Sequence, residues 1–237
     1  MNLVLDIGNT LMKFALFQGQ TLLFKGVGEL PELSSFVKNR SIDNCIVSSV
    51  KKNELDTLDQ ILNCPIIHLS HLVEIPIENL YRTKETLGDD RLANAIAANF
   101  LYPKQSALVV DCGTCVKYDC LDSSGSYLGG GISPGLQMRY KALSEFTGRL
   151  PKLEPVSGPS LIGDSTETSI GSGVVNGTVA EIKGMIERYK SIYENLTVIL
   201  TGGDASFFDK ELKSNIFVEP NLTLIGLNEI LRYNTSN

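Results

Sequence analysis

Leu3-Val4-Leu5-Asp6-Ile7-Gly8-Asn9 and Leu108-Val109-Val110-Asp111-Cys112-Gly113-Thr114 are two copies of one pattern. In each, a short apolar run ends in Asp-x-Gly, so a buried strand delivers a carboxylate into a tight glycine turn. The downstream sequence repeats as well. After Asp6 come Met12 to Phe17, the turn Gln18-Gly19-Gln20, and Thr21 to Phe24. After Asp111 come Cys115 to Leu121, the turn Asp122-Ser123-Ser124-Gly125, and Tyr127 onward. Each half predicts three strands joined by two hairpin turns. One such string alone is explained by an aspartate capping a turn. Two copies with the same downstream pattern point to a duplication.

Outward from each strand triple, helix and strand signals alternate. In the first half the pattern predicts a helix over Glu29 to Lys38, a strand over Cys45 to Val50 and a helix over Glu54 to Leu62. A short strand at Ile66 to Leu69 and an alanine-rich helix over Arg91 to Tyr102 complete it. In the second half helices are expected over Leu136 to Phe146, Thr166 to Tyr193, Ala205 to Leu212 and Leu227 to Tyr233, with strands at Thr197 to Thr201 and Ile216 to Glu219. Three antiparallel strands followed by helix–strand alternation imply an α/β fold, each half a mixed sheet with helices on its faces. The expected organisation is two similar lobes, 1–105 and 106–237, with a cleft between them and a boundary near Lys104-Gln105-Ser106.

Composition narrows the function. The 237 residues are 43% hydrophobic and 20% charged, which suits a globular chain with a substantial core. The formal net charge of -6 argues against nucleic acid or an anionic membrane as partner, since both need a basic face. Asp6 interrupts the N-terminal apolar run before a signal-peptide core forms, and no stretch approaches the length of a membrane span, so the expected location is cytoplasmic. Cys45, Cys64, Cys112, Cys115 and Cys120 then read as free thiols. Cys112 and Cys115 form a C-x-x-C that lacks a second ligand pair for zinc, and His68 and His71 read as ordinary surface or strand-end residues.

Several strings, in order, resemble a known family. Asp6-Ile7-Gly8-Asn9-Thr10 resembles the first phosphate motif of the acetate/sugar-kinase and actin-like superfamily, Asp111-Cys112-Gly113-Thr114 the second, and Thr201-Gly202-Gly203-Asp204-Ala205 its adenosine motif. Gly88-Asp89-Asp90-Arg91, Gly129-Gly130-Gly131-Ile132-Ser133-Pro134-Gly135 and Thr166-Glu167-Thr168-Ser169-Ile170-Gly171-Ser172-Gly173 narrow the resemblance to type III pantothenate kinases. It spans nearly the whole chain. There is one departure: the second phosphate motif usually continues with alanine and, two residues on, threonine, where this chain has Cys115 and Lys117.

The resemblance implies two ribonuclease H-like lobes, each a mixed five-stranded sheet, and a homodimeric enzyme that phosphorylates pantothenate from ATP. Such transfer needs positioning and charge neutralisation more than covalent help. Glycine turns let backbone N–H groups approach phosphate oxygens. The implied ATP-side residues are Asp6, Ile7, Gly8, Asn9, Thr10, Lys13, Thr114, Gly202 and Gly203. Lys13 also reads as a solvated strand lysine. Asp6 would order Mg2+ through water, and Asp111 would sit at a monovalent cation site for K+ or NH4+. Lys117 leaves a second occupant open there, its own ammonium.

On the acceptor side the resemblance implies pantothenate contacts from Tyr81, Gly88, Asp89, Asp90, Arg91 and Thr166, with Asp90 taking the hydroxyl proton. From the residues alone, Asp90 reads equally as an N-cap for the helix after it, with Asp89 competing. Asp164 with Glu167 is the expected cap of the helix from Thr166. Gly171, Gly173 and Gly177 cost that helix about 1 kcal/mol each, so close packing should compensate; the residues alone read as helix–helix contact, and the resemblance implies that this helix also lies at a homodimer interface, with Thr166 reaching the partner's site. Two other readings stand beside the kinase: an actin-like nucleotide-binding regulator or transcription-activating relative, and a sugar kinase, which is usually longer.

Overall fold

The structure, a computed structural model, describes residues 1–8, 11–49, 55–212 and 216–235. The first sheet begins with an antiparallel meander, β1 (Asn2–Ile7), β2 (Met12–Gln18) and β3 (Thr21–Gly28). α1 (Leu30–Val37) comes next, then β4 (Asn44–Ser49), α2 (Leu55–Ile61), β5 (Ile66–His68) and α3 (Asp89–Leu101). β4 runs parallel to β1, and β5 parallel to β4, which gives the order β3-β2-β1-β4-β5. β1 is central, and Leu3, Val4 and Leu5 are all fully buried, so its run is apolar on both faces. Gly19 turns the β2–β3 hairpin at φ 59°, a conformation open to glycine.

The second half repeats this order. β6 (Ala107–Cys112), β7 (Cys115–Leu121) and β8 (Tyr127–Pro134) form the meander. α4 (Leu136–Glu145), α5 (Thr166–Gly171), α6 (Gly177–Lys190), β9 (Thr197–Thr201), α7 (Ala205–Leu212), β10 (Phe217–Val218) and α8 (Leu222–Thr235) complete the chain. The sheet order is β10-β9-β6-β7-β8, again with the meander antiparallel and the added strands parallel. Both sheets are therefore mixed and five-stranded with one topology, the ribonuclease H-like arrangement expected of each half. Each meander also carries a register shift at the matching place, Leu16/Phe17 and Cys120/Leu121. Among the described residues, no helix is long and apolar enough to cross a membrane.

The division of the chain differs from the expected 1–105 and 106–237. One compact unit is Met1–Pro103 with Asn221–Asn237; the other is Lys104–Pro220. α8 packs chiefly on α3 and β1. Leu224, Leu227, Ile230 and Leu231 join Val4, Phe17, Ile46, Leu92 and Ile96 in one apolar cluster on that face of the first sheet. Gly226 allows the approach, since a Cβ there would collide with the carbonyl of Ala93. Buried Asn228 donates to the Gly19 carbonyl at 3.0 Å and accepts from Asn2 at 3.3 Å. The opposite face of the sheet packs Leu3, Leu5 and Ile7 under Leu33 of α1 and Leu58 of α2. In the second unit Leu108, Val110, Val198 and Leu200 pack with Tyr140, Ile182 and Phe208 from α4, α6 and α7.

Three helix starts also differ. α8 begins at Leu222, five residues before the expected Leu227. α3 begins at Asp89, two residues before the expected Arg91, because Gly88 takes the N-cap position. α5 is capped by Ser165, not Asp164: the Ser165 hydroxyl accepts the Thr168 N–H at 3.2 Å, and the Thr168 hydroxyl accepts the Ser165 N–H at 2.9 Å. The single helix expected from Thr166 is a continuous run with a π-turn, Ser172–Asn176, between α5 and α6.

Candidate active site

In the first unit, Asp6 and Ile7 end the central strand β1, and the Gly8 N–H closes the turn onto the Leu11 carbonyl at 3.1 Å. Asn9 and Thr10 lie outside the described residues. Across the β1–β2 pairing, Asp6 stands opposite Lys13. The first turn of α3 supplies Asp89, Asp90 and Arg91. Asp90 is therefore not the cap. Its Oδ1 accepts the Arg91 backbone N–H at 2.9 Å. The Arg91 side chain is buried, with its guanidinium carbon 5.5 Å from the centre of the Tyr81 ring. Tyr81 is itself fixed by a bond from its N–H to Asn79 Oδ1 at 2.9 Å.

Asp89 connects these parts electrostatically. Burial first, then the charges of Asp90 and Asp6, push its carboxyl up to about 6. Three carboxylates from two elements thus share one neighbourhood. Among the described residues, no group of three or more His, Cys, Asp or Glu side chains is placed to hold a metal ion by itself.

In the second unit the Asp111–Thr114 turn is a hub. The Gly113 N–H donates to the Cys115 carbonyl at 3.1 Å, matching the Gly8 turn. Gly135, at the end of the glycine-rich β8 string, donates to the Thr114 carbonyl at 3.2 Å. Any Cβ on Gly135 would collide with the Gly113 and Thr114 carbonyls. Asp204 donates its N–H to the Cys112 carbonyl at 2.8 Å, and burial raises its carboxyl. Gly202 has φ 95°, and a Cβ there would sit 2.5 Å from Asp111 Oδ1. Gly203 differs: a Cβ on it would meet nothing within 4 Å. Gly202 is thus demanded by the turn, whereas Gly203 borders open space.

Asp111 stands opposite Lys117 across β6–β7, the counterpart of Asp6 opposite Lys13. Here the two side chains meet, with Lys117 Nζ 2.8 Å from Asp111 Oδ2. Thr166 begins α5 and lines an open groove of about 1160 Å³ with Leu143, Phe146, Ile170 and Val174. All five cysteines are free, and burial raises the Cys112 thiol, followed by the charges of Asp111 and Asp204.

The structure therefore gathers Asp6, Tyr81, Asp89, Asp90 and Arg91 within the first unit, and Asp111, Thr114, Gly202 and Gly203 within the second. The sequence pattern alone does not single out Gly135 and Asp204 as site builders. A signal for both is present, since each closes a glycine-rich string at the end of a strand. The coupling of Asp89 to Asp6 has no local signal.

Among solved structures, a Campylobacter jejuni protein described as a candidate Baf family transcriptional activator matches with TM-score 0.65 at 20% identity, over 99% of this chain and 100% of that one. A Listeria monocytogenes protein described as a candidate N-acetylmannosamine kinase matches with TM-score 0.58 at 14% identity, over 100% of this chain and 99% of that one. At such identities the likeness shows the fold alone: an actin-like, sugar-kinase-type architecture of paired mixed sheets. A family model described as type III pantothenate kinase matches residues 2–188. The type III pantothenate kinase of Christiangramia forsetii is 44% identical over 240 residues, covering 99% of each chain. The chain belongs to the type III pantothenate kinase family. It is an enzyme, a kinase that uses ATP, and the regulator reading is not favoured.

Proposed function

We propose that the protein transfers the γ-phosphoryl group of ATP to the primary hydroxyl of pantothenate, giving phosphopantothenate and ADP, the first step of coenzyme A biosynthesis. The observation that carries this reading is the first turn of α3, which brings together Asp90, buried Arg91 over the Tyr81 ring, and Asp89, whose carboxyl feels the charge of Asp6. The pantothenate oxygen attacks the γ-phosphorus, the bond to the bridging oxygen of ADP breaks, and the hydroxyl proton passes to the Asp90 carboxylate. Arg91 holds the substrate by charge-assisted hydrogen bonding, with Tyr81 fixing the guanidinium plane. Gly88 and Asp89 complete the acceptor contacts, and Thr166 reaches the acceptor site of the partner subunit.

The residues on the phosphate side are Asp6, Ile7, Gly8, Asn9, Thr10, Lys13, Thr114, Gly202 and Gly203. Asp6 would order Mg2+ through water, and the ion when bound would neutralise phosphate charge. A monovalent cation at Asp111 fits less well, because Lys117 already engages that carboxylate.

We read the active form as a cytoplasmic homodimer. A Cβ on Gly173 or Gly177 would meet nothing in the chain, so packing within the chain does not explain these helical glycines. The adjoining groove exposes Phe146 at 86%, and Leu161 and Ile162 are 79% and 85% exposed. A coupled assay of ADP release with and without pantothenate tests the function. Release that depends on pantothenate supports it; release indifferent to pantothenate, or none, overturns it.

A further inference from the structure

We infer that the Lys117 ammonium replaces the monovalent cation at Asp111, so that this kinase runs without added K+ or NH4+. The pair is built into the fold. Asp111 and Lys117 are direct register partners across β6–β7, so the backbone places the ammonium opposite the carboxylate. Their contact is 2.8 Å, within the range of a charge-assisted bond. Only 10% of the Asp111 side chain and 15% of the Lys117 side chain are exposed, so water and salt screen the pair little.

The other oxygen of the carboxylate is bordered by glycines. A Cβ on Gly113 would lie 3.3 Å from Asp111 Oδ1, and one on Gly202 2.5 Å from it, so a larger residue at Gly202 would press on the carboxylate that Lys117 holds. A potassium ion bound to this carboxylate would share it with a fixed like charge in a poorly screened site. Lysine carries a compact point charge, the same chemical feature a monovalent cation offers to a phosphate-binding turn. It differs in being covalently supplied, always present and independent of salt composition.

This inference rests on the phosphoryl-transfer reading only for its activity arm. The decisive measurement uses the unaltered protein. ADP release at saturating pantothenate and Mg-ATP is compared in choline, sodium, potassium and ammonium chlorides at equal ionic strength. Rates agreeing within about twofold support the inference, and a rise of about tenfold in potassium or ammonium overturns it. In parallel, thermal unfolding of ligand-free protein is followed in the same salts. A melting temperature equal in potassium and choline supports the inference; a rise specific to potassium overturns it. If no buffer gives ADP release, the transfer reading fails, while the unfolding series still decides what Asp111 holds. Lys117→Met should lose about tenfold or more in choline and regain much of it with potassium or ammonium. A folded Lys117→Met that is active and indifferent to every salt would count against the lysine.

Discussion

The Arg91 guanidinium carbon lies 5.5 Å from the centre of the Tyr81 ring, and both residues flank the turn that carries Asp90. A guanidinium held over an aromatic ring presents a planar fork of donors, which an ammonium does not offer. Arg91→Lys keeps the charge and loses that plane. Its KM for pantothenate should rise about tenfold, with the KM for ATP changed little, since a fixed charge-assisted bond contributes about 1.5–3 kcal/mol. Steady-state kinetics with each substrate varied in turn check this.

Asp90→Asn should cut turnover by about 10²-fold or more, the scale of a lost general base. Asparagine keeps an oxygen for the Arg91 N–H, so the first turn of α3 survives. Calorimetric binding of a non-hydrolysable ATP analogue should persist. A variant with near-normal turnover would remove Asp90 from the chemistry.

The Asp89 carboxyl is raised to about 6 by burial, Asp90 and Asp6, so the folded state binds its proton more tightly than the unfolded chain does. Between the unfolded value near 3.9 and about 6, the folded state carries the extra proton, and stability falls as pH rises through that window. Asp89→Asn removes the penalty. In metal-free protein it should raise the melting temperature by about 2–4 °C at pH 8, after discounting the shift for partial exposure to ~1 kcal/mol. At pH 4 the gain should vanish. Melting curves at both pH values with chelator present measure it.

Gly202 and Gly203 are adjacent yet separable. Gly202→Ala forces a side chain into φ 95° and against the Cys112 carbonyl, and should destabilise by about 1–3 kcal/mol. Gly203→Ala adds its methyl to open space, so it should melt near the wild-type temperature while raising the KM for ATP. Paired thermal and kinetic measurements distinguish the two.

Light scattering at micromolar concentration should give twice the 25.8 kDa chain mass. Gly173→Ala fills space that nothing in the chain occupies, and alanine favours the helix by about 1 kcal/mol. In a dimer packed on this face, the variant should dissociate at lower dilution than wild type. A more stable variant that is monomeric at every concentration, like wild type, would reject the dimer.

The strands bearing Asp6 and Asp111 are legible in the sequence because an apolar run ending in Asp-x-Gly encodes strand, carboxylate and turn at once. α7 and β9 fall where their patterns place them. The start of α3 is hidden because Gly88 caps without a side-chain signal. The Ser165–Thr168 box is hard to see because threonine, not glutamate, fills its third helical position. The coupling of Asp89 to Asp6 leaves no local trace, since it joins segments distant in sequence. Lys117 is visible as a departure from the motif; its distance to Asp111 is not.

The order of synthesis matters for α8. Its leucines cover a face of the first sheet, yet a ribosome adds them only after residues 104–220 have been made. The inserted unit is contiguous and can fold as it emerges. The earlier sheet must wait with Val4, Phe17 and Ile46 lacking the α8 part of their cover, a period in which chaperones or neighbouring chains compete for those strands. The half that is translated second is thus the half that can finish folding first.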